Sequence, residues 1–105
     1  MSWEIYKGES KVGTIDGSGN VYIAEAKAGF VTKQGDVYDR TMTKRGVVKA
    51  DGDVVNRGTT LIGSVSPSGD IYRETTCSGR VTVEGADGAS QITVFQAGGA
   101  ALLLW

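Results

Sequence analysis

What this chain lacks limits the chemistry open to it. It has no histidine, so the commonest general base and metal ligand is missing. Its one cysteine, Cys77, has no partner for an internal disulfide. A thiolate nucleophile needs a histidine or a cationic setting; Arg73 and Arg80 are near in sequence but do not make one. A tetrahedral zinc site cannot be assembled from a single sulfur and no imidazole. Asp36, Asp53 and Asp70, with Asn20, each follow a glycine. Carboxylates repeated around an axis can hold calcium. The same residues also suit hairpin turns and cap their own backbone, and no D-x-D-x-D-G loop is present. Glu4, Glu25, Glu74 and Glu84 have no spacing that demands an acid–base pair. "GSG" at 17–19 precedes no Lys-Ser or Lys-Thr helix start, so it is not a phosphate loop. No catalytic residue, metal site or cofactor is assigned, and an enzyme is not expected.

The aromatic residues form a more suggestive set. Tyr6, Tyr22, Tyr38 and Tyr72 recur at equivalent places. Tyrosine offers a large contact area with a polar tip. A sugar, a peptide or a partner protein can stack on such rings; alternatively, the rings pack between neighbouring hairpins. Trp3 and Trp105 either meet and staple the chain closed or anchor a second subunit. Leu102, Leu103 and Leu104 with Trp105 form an apolar tail that offers self-association.

These residues are positioned by a repeat of about sixteen or seventeen residues. Units start near 13, 29, 46, 63 and 79. Gly13, Gly29, Gly46, Gly63 and Gly79 each precede by six residues a second glycine: Gly19, Gly35, Gly52, Gly69 and Gly85. Ile15, Val31, Val48, Val65 and Val81 follow the first glycine by two. Val21, Val37, Val54 and Ile71 follow the second, and Ile5-Tyr6 holds the same place ahead of Gly13. In "VTKQGDV" the pattern predicts a type I turn closed by a left-handed glycine in a G1 bulge. Lys33 and Gln34 take the right-handed positions, Gly35 the left-handed one, and Val31 faces Val37. The lone proline, Pro67, falls on the first turn position of "SPSGD", where its fixed φ fits. Alternation puts the aliphatic residues and the first glycines on one face and the tyrosines on the other. With no side chain, those first glycines allow backbones to approach closely.

The segments between hairpins, such as "YDRTMTKRG", read as polar connections with a looser turn. "QITVF" at 91–95 alternates and predicts a strand. "AALLLW" predicts a last strand or a short helical turn that plugs or caps the middle of the array. The fold class is therefore all-β: one domain, residues 1–105, of hairpins around a central axis, with a C-terminal segment at 90–105.

At 105 residues, 22% of them charged and net −1, the chain is of ordinary globular composition. Acids and bases alternate along it, and Lys44-Arg45 is the one close basic pair, so nucleic acid is not an expected partner. The start lacks a signal-peptide pattern. No apolar run is long enough to span a bilayer as a helix. A cytoplasmic protein without a membrane partner is expected.

The unit G-x-[IV]-x-x-x-G-[DN]-[IV]-Y, with the "GGAALLLW" tail, resembles the bacterial four-fold β-flower domain over roughly residues 3–105. That resemblance implies hairpins set like petals about a pseudo-four-fold axis and brings no established activity. Val55 in a tyrosine position and the altered fifth unit depart from the pattern. The expected function is a non-catalytic structural or protein-interaction module. The alternative is a small-ligand module, for carbohydrate or peptide, built on the repeated tyrosines.

Overall fold

The glycine pairs build hairpins as their spacing requires. In the structure, a computed structural model describing residues 2–84 and 92–105, ten strands precede one helix. The strands are β1 (Ser2–Lys7), β2 (Ser10–Ile15), β3 (Asn20–Ile23), β4 (Ala26–Val31), β5 (Asp36–Asp39), β6 (Lys44–Val48), β7 (Asp53–Asn56), β8 (Leu61–Val65), β9 (Asp70–Arg73) and β10 (Thr76–Glu84). The helix is α1 (Val94–Leu104). Every strand pairs antiparallel with its chain neighbours, and β10 pairs with β1, which closes a barrel and leaves no free sheet edge.

The turn register matches the sequence pattern. Val31 pairs with Val37 and Phe30 with Tyr38, and the Gly35 N–H donates to the Thr32 carbonyl at 2.9 Å. Gly19, Gly35, Gly52 and Gly69 have φ of 98°, 95°, 98° and 97°, a region that only glycine enters without strain. Gly85 lies outside the described residues.

The first glycine of each unit answers to a different demand. One residue before each, the glycine's own strand carries a residue with no partner across the ladder, so Val12, Ala28, Arg45, Ile62 and Ser78 are bulged out. Bulges bend strands and tighten twist, which a small barrel needs at its corners. Each glycine then lies against a carbonyl across the hairpin. A Cβ at Gly13 would sit 2.0 Å from the Tyr22 oxygen, and one at Gly79 would sit 2.0 Å from that of Tyr6. Gly29, Gly46 and Gly63 meet the Tyr38, Val55 and Tyr72 oxygens in the same way. Five equivalent sites surround the axis, the fifth made by β10 with β1.

The segments expected to be polar connections are in fact strands. They read as loops because their outward residues are polar and no glycine holds the left-handed positions of their turns, Gly58 standing one place before Thr59. The β3–β4 turn is Ala24-Glu25, with φ of 52° and 68°, the pattern of a type I′ turn. Met42 and Thr59, at φ 68° and 66°, occupy the left-handed slot of three-residue loops. A β-branched residue is strained there. Thr59→Gly is therefore expected to stabilise the protein by about 1 kcal/mol, a rise of roughly 4–8 °C in a thermal melt.

The "QITVF" strand is corrected as well. Ile92 and Thr93 are non-helical, and Val94 and Phe95 open α1. Thr93 caps the helix: its Oγ1 accepts the Gln96 N–H at 3.2 Å, while Gln96 Oε1 accepts the Thr93 N–H at 2.9 Å. This reciprocal box satisfies two N-terminal donors and outweighs the β-propensity of Ile-Thr-Val. Gln96 also donates to the Lys33 carbonyl at 2.7 Å, tying the start of the helix to the β4–β5 turn.

The helix packs against β1 and β4–β10. Its middle, Ala97-Gly98-Gly99-Ala100-Ala101, is buried because it carries almost no side chain. A Cβ at Gly99 would lie 2.2 Å from Val48 Cγ2, and one at Gly98 would lie 2.6 Å from Val65 Cγ1. The four residues after them fan out to the first glycines: Leu102 to Gly63, Leu103 to Gly46, Leu104 to Gly29 and Trp105 to Gly79. The core therefore consists of helix residues and inward strand residues such as Ile5, Ile15, Val21, Val37, Val54 and Ile71, each 0% exposed. Burying each of these contributes about 1.5–3 kcal/mol.

Candidate functional site

The tyrosines lie on the outer face, on β1, β3, β5 and β9; Val55 holds the equivalent place on β7, so three strands separate β5 from β9. All four are half-buried, and the barrel surface splays them apart. Each has local company instead. The Tyr6 hydroxyl donates to Glu4 at 3.2 Å, and the Arg80 guanidinium lies 4.9 Å from its ring centre. Tyr38 stacks on Phe30, with centroids 5.1 Å apart and planes at 20°. Lys27 lies 5.8 Å from the same Phe30 ring. Tyr22 lines a shallow depression with Lys11 and Glu25 that contains no second tyrosine. Tyr72 faces Ser64 across its hairpin, as the register requires.

The tryptophans are placed at opposite ends of β1. Trp3 is buried and pairs with Ile15 and Val83. Trp105 packs against Gly79, and the Lys7 ammonium lies 5.9 Å from its ring. They do not staple the chain to itself. Leu102 is buried, and Leu103, Leu104 and Trp105 are half-buried.

The polar residues that follow the turn glycines make local contacts. Asp36 pairs with Lys44 at 3.1 Å, Asp70 accepts from the Ser68 hydroxyl at 3.2 Å, and Asn20 bonds Asp16. Among the described residues, no three His, Cys, Asp or Glu side chains are grouped to hold a metal. Cys77 is exposed.

A cross-strand pair and two turns also set the ionisation of three acids. Lys11, the main cause, and then Tyr6 hold Glu4 below the usual carboxylate range against burial. Burial pushes Asp16 up, but hydrogen bonds from Asn20, Ser18 and Gly19 outweigh it and leave its pKa lowered. Asp39 is lowered by the Thr41 hydroxyl first, then by the Thr43 N–H and weaker contributions. A depressed folded-state pKa stabilises the fold above the unfolded value and loses that stability as pH falls through the folded value. The melting temperature is expected to hold from neutral pH to about 5 and to fall below about 4. Asn56 accepts the Gly58 and Thr60 N–H groups just as Asp39 accepts those of Thr41 and Thr43. Asp39→Asn copies that turn, so it is expected to melt normally at pH 7 with a shallower acid decline.

The feature that sequence reading missed lies at the end where α1 terminates. A groove of about 300 Å³ is floored by Ile23, Leu103 and Leu104 and walled by Lys27, Arg40 and Arg45. A second hollow shares Arg45 and adds Arg57. Arg40 and Arg45 flank one hairpin turn, while Lys27 and Arg57 lie on the hairpins either side; pairing of the three hairpins brings the four to one rim. The opposite rim, at the glycine turns, carries Asp16, Asp36, Asp51, Asp53 and Asp70 together with Lys33 and Lys49.

The fold thus defines a closed ten-strand antiparallel barrel of hairpins with, at one end, an apolar-floored groove walled by Lys27, Arg40 and Arg45. Comparison of the chain with family models, with curated proteins and with solved structures returns no match. Among the described residues, no helix is long and apolar enough to cross a membrane.

Proposed function

We propose that this protein is a non-catalytic structural or protein-interaction module whose barrel is sealed by its own helix. The observation that carries this reading is the composition of the interior: among the described residues, no polar or charged residue is buried. Small and aliphatic side chains from α1 and the strands occupy the space that a lipocalin-like barrel reserves for a ligand. Chemistry would then have to occur outside, where the titratable groups serve turns and surface pairs. The dispersed tyrosines support a scaffolding role over a shared stacking platform.

Kinship with the β-flower family is proposed on the repeat motif alone. Five units surround the axis here, so the kinship is one of repeat unit rather than of four-fold symmetry.

The test is an NMR titration of the full chain with mono- and oligosaccharides and with neutral peptides. No saturable shifts are expected at Tyr6, Tyr22, Tyr38 or Tyr72. Tyr38→Ala is expected to lower stability by about 1–2 kcal/mol through lost stacking and burial. Saturable shifts converging on the tyrosines, with Tyr38→Ala abolishing them at unchanged stability, would establish the small-ligand alternative.

A further inference from the structure

Resting on the interaction-module reading, we propose that the basic groove at the C-terminal end of α1 docks an acidic segment of a partner protein, with one apolar side chain of that segment seated on Leu103 and Leu104. Charge complementarity identifies the occupant. Lys27, Arg40 and Arg45 wall an apolar floor, and the adjoining hollow extends the cationic line to Arg57.

The acid within the groove, Asp39, offsets only one of these cations, Arg45, and leaves the line net positive. One oxygen of Asp39 accepts the Thr41 N–H at 2.9 Å, the Thr41 hydroxyl at 2.6 Å and the Thr43 N–H at 3.1 Å. Its other oxygen stands 3.6 Å from Arg45 Nη1, beyond good hydrogen-bond length. The Arg45 side chain is 52% exposed, and its planar fork suits an incoming carboxylate. Nor does the helix absorb the rim's charge. The last turn of α1 carries no basic residue, and a helix C-terminus presents only about half a negative charge. A single rim cation balances it, which leaves a surplus.

Shape decides between a small ligand and a chain. A groove of about 300 Å³ open along its length is at the small end of ligand sites and cannot enclose most of a ligand's surface. It does fit one anchoring side chain with a segment lying over the rim, the pattern of an apolar hot spot ringed by arginines.

The experiment uses fluorescence anisotropy with the full chain and a labelled short peptide of alternating Asp and Glu carrying one central Leu. A sister peptide carries Ser at the centre. The Leu peptide is expected to bind at least about tenfold more tightly than the Ser peptide, and its affinity to fall with added salt. Arg40→Gln/Arg45→Gln, two exposed changes, is expected to weaken it about tenfold or more with an unaltered melting curve. Equal binding of the two peptides, unchanged affinity in the double variant, or no peptide binding at low salt overturns the proposal. So does binding to phosphatidylserine vesicles in place of the peptide, which would identify a membrane surface as the occupant. These failures leave the sealed-barrel reading standing, because that reading is tested separately, by ligand shifts at the tyrosines and by removal of the helix's last residues.

Discussion

Gly52→Val is expected to lower the melting temperature by at least about 15 °C, and the variant is expected to be largely unfolded at moderate denaturant. Two independent penalties meet at this position. Gly52 holds φ of +98°, where a residue with a side chain is strained by about 1–3 kcal/mol. The space is also closed: a Cβ would sit 2.4 Å from the Val65 carbonyl oxygen and 3.0 Å from Phe95 Cδ1. A ring edge can turn aside, but the carbonyl belongs to the neighbouring hairpin and the barrel holds it. Overpacking of this kind costs about 1–3 kcal/mol. The sum, roughly 2–6 kcal/mol, is a large share of the 5–15 kcal/mol that stabilises an ordinary domain.

Gly8→Ala separates the two penalties. Gly8 has φ of +63°, yet nothing lies within 4 Å of its Cβ direction. Strain alone remains there, and a loss of about 1 kcal/mol is expected. A Gly52→Val protein that melts no lower than Gly8→Ala would show that Gly52 faces open space and that β8 does not pack on it.

The same distinction explains what the sequence made legible. The turn glycines announce themselves because a left-handed position in a three-residue hairpin has few alternative occupants. The inward aliphatic residues follow from alternation once the turn is set. The first glycines could be seen to recur, and close approach was the right physical cause, though the atom approached is the carbonyl of the facing tyrosine position. By contrast, Met42 and Thr59 fill left-handed slots without a glycine to mark them, so their strands read as loops. The Thr93-x-x-Gln96 capping box was present as a helix-start signal, but the alternation of Ile92, Thr93 and Val94 gave a competing period. Burial of Gly98 and Gly99 against Val65 and Val48 settles that competition, and no local rule contains those contacts. The basic rim was illegible for a simpler reason. Lys27, the Arg40–Arg45 pair and Arg57 belong to three successive hairpins, and only the lateral pairing of those hairpins makes them neighbours.

Deleting residues 102–105 is expected to have the largest effect of any change outside the strands, a loss of about 5 kcal/mol or more. Leu102 is 2% exposed, and burial of such a side chain contributes about 1.5–3 kcal/mol. Leu103, Leu104 and Trp105 are half-buried and together contribute at least as much again. Their removal also opens space beside Gly29, Gly46, Gly63 and Gly79, where no strand side chain exists to collapse inward. Polar backbone at the bulges would then face a void. The truncated protein is expected to melt more than about 20 °C lower, by the usual conversion for a domain of this size, and to bind a dye specific for exposed apolar surface. Leu102→Ala is the graded version, with a loss of about 2–5 kcal/mol and no new charge or length change. If the tail instead stabilised the protein by joining two copies, both variants would shift the sedimentation profile, and the wild-type melting temperature would rise with protein concentration. A sealed barrel predicts a concentration-independent melt with the same ranking of variants. Truncation that leaves the melt unchanged would show that the leucines fill nothing, and the barrel would have to close on some other support.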